Sequence, residues 1–224
     1  LWDNIGGIYR LMGESDQAIE AYLRATALDP RYASPWYSLG NIYAALERDG
    51  EAIEAYRQAI ALNPGDPWPY HNLALVYEKM ERYDQAIALY RQAIERHSSD
   101  HDRAVSWDSL GNVYSDAGRY EAAMQAFQES IRLNPAYALP WNSLGDVYIA
   151  RGDTGQAIDA YQRAIELDPG YAGPYNNLGL VYENTGEFEK TIGVYRQVRD
   201  KHTSDHDRGI SRNNLGDVYR AVAW

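Results

Sequence analysis

Four of the chain's five histidines fall in two short segments, His97-Ser98-Ser99-Asp100-His101-Asp102-Arg103 and His202-Thr203-Ser204-Asp205-His206-Asp207-Arg208. Their residue types allow two chemistries. Histidines four apart share one face of a helix, and neighbouring carboxylates could complete a zinc or nickel site. Ser, His and Asp together also suggest a hydrolase triad. A triad, however, draws its members from separate elements beside an oxyanion hole, which adjacent residues in one turn seldom achieve. A structural account needs fewer coincidences: three extra residues extend a helix or loosen a turn, Ser or Asp caps the next helix, and Arg pairs with Asp. No G-x-x-x-x-G-K phosphate loop and no H-E-x-x-H pair occurs elsewhere. We therefore assign no catalytic residue, no metal ligand and no cofactor, and read the chain as not an enzyme.

The elements that carry these segments are repeats. Trp2-x-x-Ile5-Gly6-x-x-Tyr9 returns as Trp36-Leu39-Gly40-Tyr43, Tyr70-Leu73-Ala74-Tyr77 and Trp107-Leu110-Gly111-Tyr114. It continues as Trp141-Leu144-Gly145-Tyr148 and Tyr175-Leu178-Gly179-Tyr182, then weakens to Arg212-Leu215-Gly216-Tyr219. The spacings are 34, 34, 37, 34, 34 and 37 residues, so a 105-residue period overlies the shorter one. Residues 36–105 and 141–210 are identical at about half their positions, a duplicated three-repeat block. The two histidine segments are the two three-residue insertions.

Each unit reads as two helices. Trp36, Leu39, Ile42 and Tyr43 lie on one helical face, and Ala52, Ile53, Tyr56, Ala59 and Ile60 form a second stripe. Gly40 and Ala59 allow close backbone approach, and the aromatics fill the space between. Pro64 follows a helix it cannot continue. Pro35, Pro69, Pro140 and Pro174 stand where a first helical turn tolerates a missing N–H. One helix pair cannot bury both faces, so stability comes from stacking neighbours. That assigns the twenty Tyr and six Trp, set against two Phe, to the core rather than to a cofactor or sugar box.

These residues, together with Ala18-Tyr22-Ala25-Pro30 and its counterparts Ala52-Tyr56-Ala59-Pro64 and Ala157-Tyr161-Ala164-Pro169, resemble the tetratricopeptide repeat (TPR) family over essentially the whole chain. The resemblance implies an all-α, right-handed superhelical solenoid of antiparallel helix pairs. The repeats would run 1–32, 33–66, 67–103, 104–137, 138–171 and 172–208, with a final helix at 209–224, as one solenoid built from two 105-residue blocks. It further implies that the first helix of each pair lines a concave groove. The family's binding positions map here to Asn4, Asn41, Asn72, Asp108, Asn112, Asn142, Asp146, Asn176, Asn177, Asn214 and Asp217. The row of amides resembles in part the asparagine ladder of the O-linked N-acetylglucosamine transferase TPR domain, with Ser38, Ser109 and Ser143 interrupting it. Asn both donates and accepts, so such a row suits a peptide backbone, whereas exposed Asn and Ser can equally be solvated surface.

Charge narrows the partners. The net charge of −11 argues against nucleic acid. Chaperone-binding relatives grip an acidic tail with a Lys/Asn/Arg clamp, and Lys79, Lys190 and Lys201, the chain's three lysines, occupy no clamp position. A protein or peptide segment that is neutral or basic fits better. No apolar stretch approaches the roughly 18 residues of a membrane span. Cysteine is absent, which removes disulfides and thiolate ligands and leaves the compartment open.

Leu1-Trp2 opens the first helix without a cap and without an initiator Met, so an excerpt or mature piece is expected. The last helix keeps Val218, Tyr219, Val222 and Trp224 apolar. Three functions follow: an interaction scaffold that binds an extended segment in its groove; a self-associating filament subunit using Leu1, Trp2, Val218, Tyr219, Val222 and Trp224 end to end; or a recruiting or sensor domain of a larger protein.

Overall fold

The turn between the two helices of a repeat is set by one backbone position. The eleventh residue after each signature aromatic has a positive φ: Gly13, Glu47, Glu81, Gly118, Gly152 and Gly186, at 57° to 84°. One residue later, the backbone N–H reaches back to the carbonyl of the signature tyrosine, as in Arg48 N to Tyr43 O and Asp153 N to Tyr148 O, both 2.8 Å. This closes a helix C-terminus around a left-handed residue. Four repeats use glycine there and two use glutamate, which pays about 1 kcal/mol in Cβ strain. Glu81→Gly should therefore raise stability by about 0.5–1 kcal/mol, read as a higher urea midpoint.

In the computed structural model, which describes residues 1–201 and positions 209, 214, 215 and 220, these turns join twelve helices, and the described residues contain no strand. They are α1 (Trp2–Leu11), α2 (Ser15–Leu28), α3 (Ala33–Ala45), α4 (Asp49–Leu62), α5 (Pro67–Lys79) and α6 (Tyr83–Arg96). The order continues with α7 (Asp100–Asp116), α8 (Tyr120–Leu133), α9 (Leu139–Arg151), α10 (Thr154–Leu167), α11 (Ala172–Asn184) and α12 (Phe188–Lys201). The chain divides into two compact units, Leu1–Ala117 and Gly118–Trp224. In the first, α1 packs on α2, α2 on α3, and so on to α7. In the second, α8 through α12 stack in the same sequential way.

Inside each unit the second-helix aromatics form the centre. Tyr56, Tyr90, Tyr161, Tyr195 and Phe127 are each no more than 2% exposed, whereas the signature tryptophans Trp36, Trp107 and Trp141 are half-buried. The aromatic stripe is core, and its spacing in the sequence is the spacing of the packing. In the second unit Tyr161, Tyr175, Leu178, Val181, Tyr182, Val194 and Val198 make one apolar cluster.

The first histidine segment differs from one of its two sequence readings. His97 lies in extended backbone between α6 and α7 (φ −63°, ψ 129°), while His101 is inside α7. They share no helix, so the i,i+4 metal geometry does not form; Ser99, capping α7 through the Asp102 N–H, ends the spacer between them. Arg103 pairs with Asp100, and α7 gains a turn, running 17 residues where most first helices have 13. Among the described residues no three His, Asp or Glu side chains converge as a metal site. The second segment, His202–Arg208, lies outside the described residues, as do Asp217, Val218, Tyr219, Val222 and Trp224.

Candidate functional site

A glycine sets how closely the second helix packs on the first. A Cβ on Gly40 would stand 2.5 Å from the ring of Tyr56, so the missing side chain is what lets that ring lie against α3. The ring's hydroxyl then emerges beside Asn41 and donates to its Oδ1 at 2.8 Å. Asn72, on the next first helix, donates to the same Oδ1 at 2.7 Å and to the Tyr37 hydroxyl at 3.1 Å. One side-chain oxygen thus ties α3, α4 and α5 together.

The second unit repeats this arrangement 105 residues later. A Cβ on Gly145 would stand 2.4 Å from the ring of Tyr161. The Tyr161 hydroxyl donates to Asp146 Oδ1 at 2.7 Å, and Asn177 donates to that oxygen at 2.9 Å and to Asn142 Oδ1 at 3.1 Å. Asn142 also donates to Asp146 Oδ2 at 3.3 Å. Desolvation raises the Asp146 carboxyl above its ordinary range, and the Tyr161 hydrogen bond opposes that. Beside this network is a cavity of about 540 Å³ whose wall includes Asp146, Asn177, Asn184, Ile149 and Leu180.

The structure therefore brings Asn41 and Asn72 together in one unit, and Asn142, Asp146 and Asn177 in the other. Both amide hydrogens of Asn72 and of Asn177 are engaged between helices. What these residues offer a ligand is their acceptor oxygens, on a scaffold held in one orientation. Asn4 is exposed on α1, Asn112 is half-buried on α7, and Asn176 and Asn214 are half-buried on helical backbone. Leu75 and Leu180 occupy the register position of Asn41 and Asp146 and are 45% and 49% exposed, so in each unit a polar network is followed one repeat on by an apolar residue.

Where Leu75 replaces the polar residue, the next tyrosine reaches further. The Tyr90 hydroxyl donates to Glu78, one turn along α5, at 2.8 Å. Beside it is a polar cluster that sequence reasoning did not single out. Ser106, fully buried, lies 2.8 Å from His71 Nδ1 and 3.1 Å from His97 Nε2. Trp68 packs edge-on against both imidazoles, and Tyr90 against that of His71. Desolvation lowers His71 to about 4, helped by the neighbouring His97, and desolvation also lowers His97 against the raising effect of Asp102 and Asp66. Asp108, expected on the open strip, is 6% exposed and its Oδ1 has no hydrogen-bond partner among the described residues. Desolvation, with the Glu78 charge, pushes it up to about 7. The available signal was the pairing of His71 with the insertion: the only histidine outside the two segments faces one of them.

The comparisons agree with this architecture. The tetratricopeptide repeat pattern matches residues 67–136, and the TPR repeat pattern matches 6–47, 40–81 and 145–186. The chain belongs to the tetratricopeptide repeat family. No curated protein matches it significantly in sequence. Among solved structures, a crystal structure of MamA superposes with a TM-score of 0.67 at 25% identity, covering 74% of this chain and 95% of that one. Pseudomonas aeruginosa PilF gives 0.74 at 17% identity, covering 95% of each chain. PilW, a widely conserved type IV pilus biogenesis factor, gives 0.78 at 15% identity, covering 93% of this chain and 96% of that one. The last two establish the TPR fold alone. As a TPR protein the chain is a protein-interaction scaffold, and no enzyme family is indicated. Among the described residues no helix is long and apolar enough to cross a membrane.

Proposed function

We propose that this TPR chain is a non-catalytic scaffold that binds an extended, neutral or basic peptide segment along its first helices. The observation that carries the reading is the duplicated network. Twice, at equivalent positions, a buried tyrosine and two first helices fix a side-chain oxygen at the groove surface, with an exposed leucine one repeat on. Preorganised acceptors beside an apolar step suit a backbone N–H and a small aliphatic side chain. The acidic composition favours a segment that is not itself acidic. An array of extended peptides of graded charge tests this. Binders should be neutral or basic, and Leu75→Arg with Leu180→Arg should weaken them at least tenfold while helicity is retained. Acidic binders, or binders indifferent to both substitutions, would remove the groove assignment.

A further inference from the structure

The two networks are copies with one difference at their centre. Asn41, Asn72, Tyr56 and Leu75 in the first unit correspond to Asp146, Asn177, Tyr161 and Leu180 in the second. Geometry is retained: tyrosine hydroxyl and asparagine amide converge on one oxygen, at 2.8 and 2.7 Å in the first unit and 2.7 and 2.9 Å in the second. What changes is charge. The oxygen belongs to a neutral amide in one copy and to a carboxylate in the other.

We propose that the two copies have diverged in specificity, and that the second-unit pocket is a subsite for a lysine or arginine side chain of the bound segment, flanked by an aliphatic residue, with Asp146 as its specificity-determining group. This rests on the groove reading above. Three neutral donors, from Tyr161, Asn177 and Asn142, hold the carboxylate in place without cancelling its charge. Among the described residues, no lysine or arginine lines the cavity of about 540 Å³ it faces. In the first unit the position equivalent to Asn184 is Lys79, an ammonium already tied to Glu47 and Asp49 at 3.4 and 3.6 Å. The second-unit pocket thus gains a carboxylate and has an amide where the first unit has a cation. Its apolar wall supplies the rest: Ile149 on α9 and Leu180 on α11, 42% and 49% exposed, both line it. The first-unit residue matching Ile149 is Ala44, so the apolar step has grown on the side that gained the charge. A cationic head over the carboxylate with a neighbouring branched side chain between Ile149 and Leu180 satisfies both features. A neutral segment leaves the carboxylate's charge facing an empty pocket.

The test uses the whole chain and two peptides, Gly-Ser-Leu-Lys-Ser-Gly and Gly-Ser-Leu-Gln-Ser-Gly, titrated by NMR so that weak binding is located as well as measured. The lysine peptide should saturate the α9 and α11 amides at about tenfold lower concentration than the glutamine peptide. Asp146→Asn should bring the two within twofold, and Asn41→Asp should create a lysine preference at α3 and α5. Raising salt should erode the wild-type preference without any substitution, which keeps the test decisive if a variant misfolds. Equal titration of the two peptides at α9 and α11, or a lysine preference that survives Asp146→Asn, overturns the inference and leaves the groove standing. Absence of shifts at those helices with either peptide overturns both.

Discussion

Gly145→Val should collapse the second-unit site and cost more than about 3 kcal/mol, read as a lowered urea midpoint and a lost Tyr161 environment. Even a single Cβ at this position would stand 2.4 Å from Tyr161 Cε1, well inside contact, and Tyr161 is only 2% exposed. Overpacking of one methyl in such a core typically costs about 1–3 kcal/mol, and valine adds two more branches. The gain in helix propensity over glycine is less than about 1 kcal/mol and does not offset it. The effect reaches the polar strip because the ring carries the hydroxyl that holds Asp146, and Asp146 holds Asn177. Ala74→Gly is the control. The third repeat already carries a methyl at this position, and its tyrosine, Tyr90, bonds to Glu78 instead of to a residue at the Asn41 register. Removing that methyl should cost only the glycine propensity and a small void, about 1–2 kcal/mol. A valine variant at 145 as stable as wild type would mean the ring can rotate aside, and the account of how the glycine sets the helix packing would fail.

Repeat identity, helix pairing and the core assignment of the aromatics were legible because they are periodic. Trp36, Gly40, Tyr43 and Tyr56 recur at fixed offsets, and each offset corresponds to one packing contact. The polar strip of the first helices was legible as a set of positions but not as a set of bonds. Asn72 and Asn177 read as free donors because a sequence records which groups a residue has, not which are already used by the next repeat. Tyr56 and Tyr161 read as apolar core, which they are, yet each hydroxyl crosses the core to that strip. The histidine segment was legible as a cap, in Ser99, and misleading as a ligand pair. Whether residues four apart share a face depends on the backbone between them, and His97 is extended. The buried cluster of His71, Ser106 and His97 joins residues 9 to 35 apart, a distance over which no local pattern reports contact.

That cluster and Asp108 should give the protein a stability that is nearly flat between pH 4 and 7, and Asp108→Asn should expose the slope hidden beneath it. His71 has a folded value of about 4 against an ordinary 6.5, so the stability tied to its neutral form is complete above 6.5 and is lost as pH falls toward 4. A shift of that size corresponds to about 3 kcal/mol. His97, also lowered, acts in the same direction. Asp108 acts oppositely. Its folded value of about 7 against 3.8 means that the stability of its protonated form is complete below 3.8 and is lost as pH rises through 7, about 4 kcal/mol. Glu78, raised mainly by desolvation, adds to the Asp108 side, with the Tyr90 hydrogen bond opposing and Asp116 reinforcing the rise. Over one pH window the histidines lose what the carboxyls gain. Asp108→Asn imitates the protonated acid, so the variant should be more stable than wild type at pH 8 by roughly 2–4 kcal/mol, because a buried carboxylate whose Oδ1 lacks a partner is removed. Below pH 6.5 it should then lose about 3 kcal/mol on the way to pH 4, as protonation of His71 proceeds without compensation. His71→Asn, which installs the residue the second block carries at Asn176, should do the reverse and become more stable as pH falls from 7 to 4. Urea midpoints at half-unit steps from pH 4 to 8 decide it. Parallel profiles for wild type and both variants would show that neither group titrates with folding, and that the cluster contributes only packing.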